Sequence, residues 1–510
     1  MGGALGRSAV FTWEVHTMGR DKKKIRSGGL LRFELEEILG RTRFTGFSGL
    51  PMVAEALRAS GAYRAIKEGP QSRERRRERG LTDAQLVESF CLLLAAGGEH
   101  LEDFDVLRAD EALAELVRHE LPSPTRAKEY LYAFADSAEE SASETVQGRL
   151  FEKGGVAQES GLLASLGGAV WATVHAVQKL NPVTRATIDI DATITESTKR
   201  EAKMTYEGER GYQPVLALWA EQDVILADEF RDGNVPAGWG LLEVVQRAVE
   251  ALPDGVEQVY LRSDSAGYTH DLLNWCREEA NIIFGISAVM SRELRSQIEA
   301  LEPEAWTVLE TKGGKERAWA EVPFVPTDPS TKKGRRPDRY LAIRIRPRQG
   351  KLFSDGSEVK YFAVVTNDWE RDGAEILQWQ RGKAGTIEHT NDVLKNGLGL
   401  GVLPCGRFGA NAAWARLNVL TYNLLSLLKD AELPEDLQRA RPKRLRLLLL
   451  CVAGQVVHHA RSVVCRVMRP THRHLGMLCR VRRALARLSV AVTSQHAGPP
   501  GRARAAPCVS

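Results

Sequence analysis

At 510 residues the chain is long enough for about three domains. Hydrophobic residues at 43% and charged residues at 27% give the composition of an ordinary soluble globular protein. The formal net charge of +4 is modest, so total charge makes no case for a polyanionic partner, and any such case rests on where the charge sits.

The first 46 residues carry weak pattern, with a basic cluster at 20–26, and Met18 is a second possible start. Residues 47–150 read as a helical region. Within it, 73–79 is Arg-Glu-Arg-Arg-Arg-Glu-Arg, either an exposed linker or a loop touching phosphates. Thr82-Asp83-Ala84-Gln85 is a capping box, followed by an apolar stripe of Leu86, Val87, Phe90, Leu93 and Leu94 that Gly97-Gly98 stops. Further helices are expected at 101–107 and 110–117. A fourth opens at Ser123-Pro124, a capping residue with proline at the first helical position. It carries Arg126 and Lys128, placed where a DNA-reading helix would touch its target. A plain bundle with a solvated edge is the other reading.

From about residue 186 strands and helices mix. Strands are expected at 187–192, 211–219 and 224–230, a helix at 238–252, a strand at 258–262, a helix at 270–280 and a strand at 282–287. This order predicts an α/β protein with a ribonuclease-H-like mixed sheet at 180–290 and 359–430, preceded by a small all-helical domain. Between those two segments, 291–358 reads as a β-rich insertion with strands at 306–310, 317–322 and 339–346. Arg344, Arg346 and Arg348 fall on one side of the last strand, and 332–336 is a basic loop; both suit a DNA backbone or a solvated charged face. A helix at 410–428 reads as core. Residues 431–510 form a basic region with a flexible tail, because fifteen Lys and Arg and no Asp or Glu follow Asp436.

The seven cysteines are scattered without a Cys-x-x-Cys, as expected of reduced thiols in a cytoplasmic protein. No zinc knuckle is read from Cys465, His472, His474 and Cys479. The start lacks the pattern of a secretory signal, and 447–453 is apolar but far too short to span a bilayer, so no membrane association is expected. No glycine loop for phosphates is present, so no nucleotide hydrolysis is implied.

Three carboxylates carry the chemistry. Asp191 ends the run Thr187-Ile188-Asp189-Ile190-Asp191, Asp264 follows Val259-Tyr260-Leu261-Arg262-Ser263, and Glu388 opens a helical stretch with Lys395 two turns on. Acids at the ends of two neighbouring strands and on a later helix can converge on one point. There they could hold two divalent cations for phosphoryl transfer. Asp189 lies on the same strand face as Asp191.

These motifs, Asp-Ala-Thr at 191, Arg-Ser-Asp-Ser-Ala-Gly-Tyr around 264, and Glu388 followed by Lys395, resemble those of the DDE transposases of bacterial insertion sequences. The likeness is greatest to the branch whose first motif is Asp-x-Asp-x-Thr, and it runs from about residue 47 to about 466. The resemblance implies catalytic and metal-binding roles for Asp191, Asp264 and Glu388, with two Mg2+ ions for which Mn2+ could substitute. Asp189 would assist or hold a neighbouring group in place. It implies DNA contacts for Lys395, Arg126 and Lys128, although Lys395 also reads as an ordinary surface lysine. It further implies cleavage at the element's terminal repeats, strand transfer into target DNA, a homo-oligomer on DNA, and a bacterial cytoplasmic location at the nucleoid. Trp379, Arg381 and Lys383 sit near Glu388 without the family's spacing. An inactive DNA-binding regulator and a ribonuclease-H-like nuclease are the rival readings.

Overall fold

The computed structural model describes residues 15–17, 22–25, 35–38, 43–72, 80–141, 155–159, 161–278, 280, 282–326, 337–347, 353–354, 356–459, 462–468 and 474–495. The basic segments expected at 73–79 and 332–336, and Arg348, lie outside the described residues. Helices occur at Pro51–Ala59, Ala62–Glu68, Asp83–Ala96, Phe104–Arg108, Glu111–Val117 and Pro124–Ser141. The capping box is present: the Thr82 hydroxyl accepts from the Gln85 amide and the Gln85 side chain accepts from the Thr82 amide. Gly97, left-handed at φ +103°, ends that helix.

The centre of the molecule is one nine-stranded sheet. Helix α1 (Gly161–Leu180) leads into β1 (Arg185–Ala192), β2 (Val215–Trp219) and β3 (Val224–Glu229). Then come α2 (Leu241–Glu250), β4 (Gln258–Ser263), α3 (His270–Glu278) and β5 (Ile283–Ser287). The chain continues through β6 (Thr307–Lys312), β7 (Lys315–Val322), β8 (Arg339–Pro347) and β9 (Lys360–Thr366). It closes with helices α4 (Gly373–Arg381), α5 (Ile387–Asn396), α6 (Phe408–Asp430) and α7 (His474–Gln495). Across the sheet the order is β3-β2-β1-β4-β5-β9-β8-β7-β6. The pairs β3/β2 and β2/β1 are antiparallel, while β1/β4 and β4/β5 are parallel. Every pair from β5 outward to β6 is antiparallel.

One expectation needs correcting. The strand expected over 211–219 is two pieces: Arg210–Tyr212 belongs to a separate small sheet, and β2 starts only at Val215. Pro214 stands between them and has no N–H for a ladder, although its carbonyl accepts from the Thr193 amide at 2.9 Å. The segment expected as an insertion is indeed rich in strands. They continue the main sheet, because β9 pairs with β5 on one side and β8 on the other.

One hydrophobic core runs from Leu50 to Val492, so the N-terminal helices share it with the sheet. Helix α6 is buried along 409–428 and packs against α1, β3 and the helices Asp83–Ala96 and Pro124–Ser141. Its polar side chains are matched. Asn423 bonds both the amide and the carbonyl of Ile225 at 2.8 and 2.9 Å, where a register shift in β3 breaks its ladder. Arg416 pairs with Asp228 and Glu159. The C-terminal part folds back onto the start: the strand pair Gly454–His459 and Ser462–Val467 adds to Phe44–Thr45, and α7 packs on Pro51–Ala59. Among the described residues no helix is long and apolar enough to cross a membrane.

Candidate active site

Alternation along β1 turns Ala186, Ile188 and Ile190 into the core and Thr187, Asp189 and Asp191 to the opposite face. Because β4 lies beside β1 and runs the same way, the two strands end at one edge of the sheet. Asp191 and Asp264 therefore arrive together. Asp264 is exposed directly after β4, where its carboxylate accepts from the Ala266 amide at 3.0 Å and fixes a tight turn. Glu388 is exposed in the first turn of α5.

The other two acids act on Asp191. Burial lifts the Asp191 carboxyl above the usual carboxylate range, Lys383 opposes this, and the negative charges of Asp264 and Glu388 push it further up. Lys383 is the direct partner of Asp191: its ammonium donates to Oδ1 at 2.8 Å, and its side chain is 8% exposed. Asn391 donates to Oδ2 at 2.9 Å. Both oxygens of Asp191 are thus held from the α4–α5 side.

Asp189 is a different kind of residue from Asp191. It is fully buried and takes both prongs of the Arg262 guanidinium, at 2.6 and 2.7 Å, together with the Thr386 hydroxyl. Arg262 and Asp189 are register partners on β4 and β1. The third nitrogen of Arg262 donates to the Trp379 carbonyl at 2.6 Å at the end of α4. Gly382 permits this approach, since a Cβ there would come within 2.7 Å of the guanidinium. One guanidinium therefore ties together the two strands that carry the acids and the turn that carries Lys383 and Glu388. A planar, permanently charged fork suits such a junction better than a lysine would.

Lys395 also reaches the cluster, donating to the Ile194 carbonyl just past β1. Burial lowers its pKa, against the pull of Glu207, Asp191 and Glu196. Arg126 and Lys128 stand elsewhere. Arg126 pairs weakly with Glu129 at 3.4 Å, and the Lys128 ammonium lies 5.4 Å from the Tyr132 ring centre, which Arg407 approaches from 5.2 Å. Arg381 turns away to Glu310 on β6 at 2.6 Å.

Sequence reasoning did not single out Arg262, Asn391 or the pairing of Lys383. Asn391 was findable, since it lies one turn beyond Glu388 on the same helix face. The Arg262 and Lys383 pairings depend on tertiary register.

The donor set is chemically suited to Mg2+ or Mn2+, being made of carboxylate oxygens with no His or Cys among them. The amide Oδ1 of Asn391 adds a buried oxygen with no hydrogen-bond partner in the same cluster. Among the described residues, no three His, Cys, Asp or Glu side chains lie near enough to one another to ligate an ion as they stand. The ammonium of Lys383 holds Asp191 instead.

Comparison with known proteins gives the family. A family model described as "Transposase DDE domain group 1" matches residues 42–489. The chain belongs to that family of DDE transposases. No curated protein matches. Among solved structures, the chain is similar to a piggyBac transposase synaptic complex with hairpin DNA, with a TM-score of 0.41 and 8% identity over 88% of this chain and 80% of that one. The family assignment rests on the sequence model.

Proposed function

We propose that this protein cuts DNA at the ends of its own insertion sequence and joins those ends to a target, with Asp191, Asp264 and Glu388 as the metal-holding catalytic acids. The observation that supports this reading is that β1 and β4, which lead to Asp191 and Asp264, end side by side, with Asp264 and Glu388 near enough for their charges to act on Asp191. The order β3-β2-β1-β4-β5, antiparallel through the first three strands and parallel through the next two, supports a ribonuclease-H-like core.

Held by the three acids, two divalent ions would supply a lowered pKa for the attacking water or 3′-hydroxyl and a counter-charge for the leaving oxygen. The protein's own residues set this up. Arg262 and Asp189 lock β4 to β1, and Thr386 joins the helix turn to them. Lys383 and Asn391 orient the Asp191 carboxylate. Lys395 fixes the backbone at Ile194 beside the acids, where its charge also suits a phosphate. The helix bearing Arg126 and Lys128 is the proposed reader of the terminal repeats. One chain offers one set of acids, so joining two ends in concert calls for a homo-oligomer assembled on DNA.

The test uses DNA flanking the coding frame as substrate and Mg2+ as the metal. Asp191→Asn, Asp264→Asn and Glu388→Gln should each remove strand cleavage while leaving binding of that DNA in place. Wild-type cleavage by any of the three would remove that residue from the assignment.

A further inference from the structure

Arg446 joins the ends of two helices. It opens a short π-helical turn, Arg446–Leu450, that lies between α6 and the C-terminal strands. The start of the helical region backs this turn. The Gly49 amide donates to the Leu450 carbonyl at 3.2 Å, and Gly49 packs on the Leu449 carbonyl where no Cβ would fit. Arg446 therefore reaches out from a fixed base.

Its guanidinium bonds to carbonyls rather than to a carboxylate. Nε donates to Ala95 at 2.8 Å, and one terminal nitrogen donates to Leu94 at 2.8 Å and to Gly397 at 2.7 Å. Leu94 and Ala95 lie in the last turn of the helix Asp83–Ala96, and Gly397 is the residue that caps α5. The last carbonyls of a helix have no partner within it and carry its negative pole, so two such ends facing one cation are held together. Gly97 leaves the room, since a Cβ there would come within 3.1 Å of the guanidinium carbon.

The second of these ends matters to the acids. Helix α5 serves the site at three places: Glu388 lies in its first turn, Asn391 donates to Asp191 Oδ2 at 2.9 Å, and Lys395 donates to the Ile194 carbonyl. Gly397 follows Lys395 by two residues. The loop beyond it is fastened to α6, with the Gly399 amide on Asn418 at 2.7 Å and the Trp414 indole on the Gly399 carbonyl at 2.8 Å. On the other side, the helix Asp83–Ala96 packs Phe90 against Tyr130 of the helix that carries Arg126 and Lys128, with ring centres 6.0 Å apart.

We propose that Arg446 is a positioning residue for the acid site. It pins the end of α5 to the helix Asp83–Ala96 and so sets where Glu388, Asn391 and Lys395 meet Asp191 and the end of β1. This rests on the reading that the acids cut DNA. A lysine would keep the charge but lacks the planar fork that serves both helix ends at once.

The experiment compares the full chain as wild type, Arg446→Met and Arg446→Lys. The amides of Gly397 and Leu398 both donate to the Val393 carbonyl, at 2.8 and 2.9 Å, so hydrogen exchange there reads the pin directly. Without metal or DNA, Arg446→Met should exchange these amides about tenfold faster, the size of one lost charge-assisted hydrogen bond, and leave those of β2 and β3 unchanged. Below its melting transition it should bind end DNA in EDTA within about twofold of wild type. It should bind Mn2+ alone about threefold more weakly and cleave saturating end DNA with Mg2+ about tenfold more slowly in a single turnover. A purely stabilising residue would lower the melting midpoint and move neither of these last two. Arg446→Lys should recover most of the melting midpoint and little of the cleavage.

Wild-type exchange at Gly397 and Leu398 in Arg446→Met would overturn the pin. Fast exchange with wild-type Mn2+ binding and cleavage would overturn the positioning and leave the DNA reading standing. If wild type cuts no DNA, that reading fails, and unchanged Mn2+ binding by Arg446→Met then refutes the positioning separately. Should Arg446→Met not fold, Arg446→Lys decides, and wild-type cleavage by it overturns the proposal.

Discussion

The two halves of the nine-stranded sheet are built differently, and they do different work. From β3 to β5 the strands are covered on both faces: all five residues of β2 and all six of β3 are buried. From β9 to β6 the sheet thins toward solvent, and β6 has no buried residue. On one face the outer half covers a small separate cluster of Leu341, Ile343, Val364, Ile376 and Leu377, which seats α4 on the sheet, and on the other Val322, Tyr340, Ala342, Ala363 and Val365 join the main core. The inner half presents Asp191 and Asp264, and the outer half carries the helix that delivers Lys383 and leads to Glu388. Two acids thus come from the inner half and the third through the arm that the outer half supports.

The largest effects should come from the inner half. Replacing Asp191 by Asn removes a charged ligand with little change in shape, and loss of several kcal/mol of transition-state stabilisation would slow cleavage about a thousandfold. Single-turnover cleavage of end DNA measures it.

Next in size is Arg262→Met, which strands the buried Asp189 without its charge partner. Breaking such a pair costs about 3–5 kcal/mol, readable as a lower denaturation midpoint. Arg262→Lys keeps the charge and loses the fork, so it should recover part of the stability and little of the cleavage. Equal stability of wild type and Arg262→Met would remove the guanidinium from its place at the junction.

A smaller effect is expected on the outer arm. Lys383 holds Asp191 Oδ1, an oxygen that the proposed cation would need. Lys383→Met should therefore tighten Mn2+ binding in the absence of DNA, by about tenfold if the opposed interaction is worth about 1.4 kcal/mol, as followed by isothermal titration. Unchanged or weaker binding would mean that Lys383 does not oppose the cation. The smallest effect is expected for Arg381→Ala. It removes an exposed pair with Glu310 and should leave both the melting midpoint and cleavage as they are.

The sequence shows some of this plainly and hides the rest for physical reasons. Strands β1, β4 and β5 are legible from short apolar runs, and the helix after Thr82 from a capping box whose two residues are three apart. The acids are legible because each ends or opens such an element. The junction is not, since Arg262 and Asp189 are 73 positions apart, and only strand register makes them neighbours. Lys383 and Asp191 are 192 apart and meet only once α4 is seated. The strands at 306–346 look separate in sequence because nothing local announces that β9 will pair with both β5 and β8. Only a ladder closing at Thr366, opposite Gly285 and Arg339, joins them to the core.

Where a divalent ion sits decides whether Asp191, Asp264 and Glu388 are the catalytic acids. A crystal structure of the protein with end DNA and Mn2+, with anomalous data collected for the metal, would show it directly. The expected result is manganese density ligated by Asp191, Asp264 and Glu388, with the Lys383 ammonium moved off Asp191 and Asp189 still in the grip of Arg262. Manganese bound elsewhere, or bound at Asp191 with Asp264 and Glu388 both turned away, would contradict it.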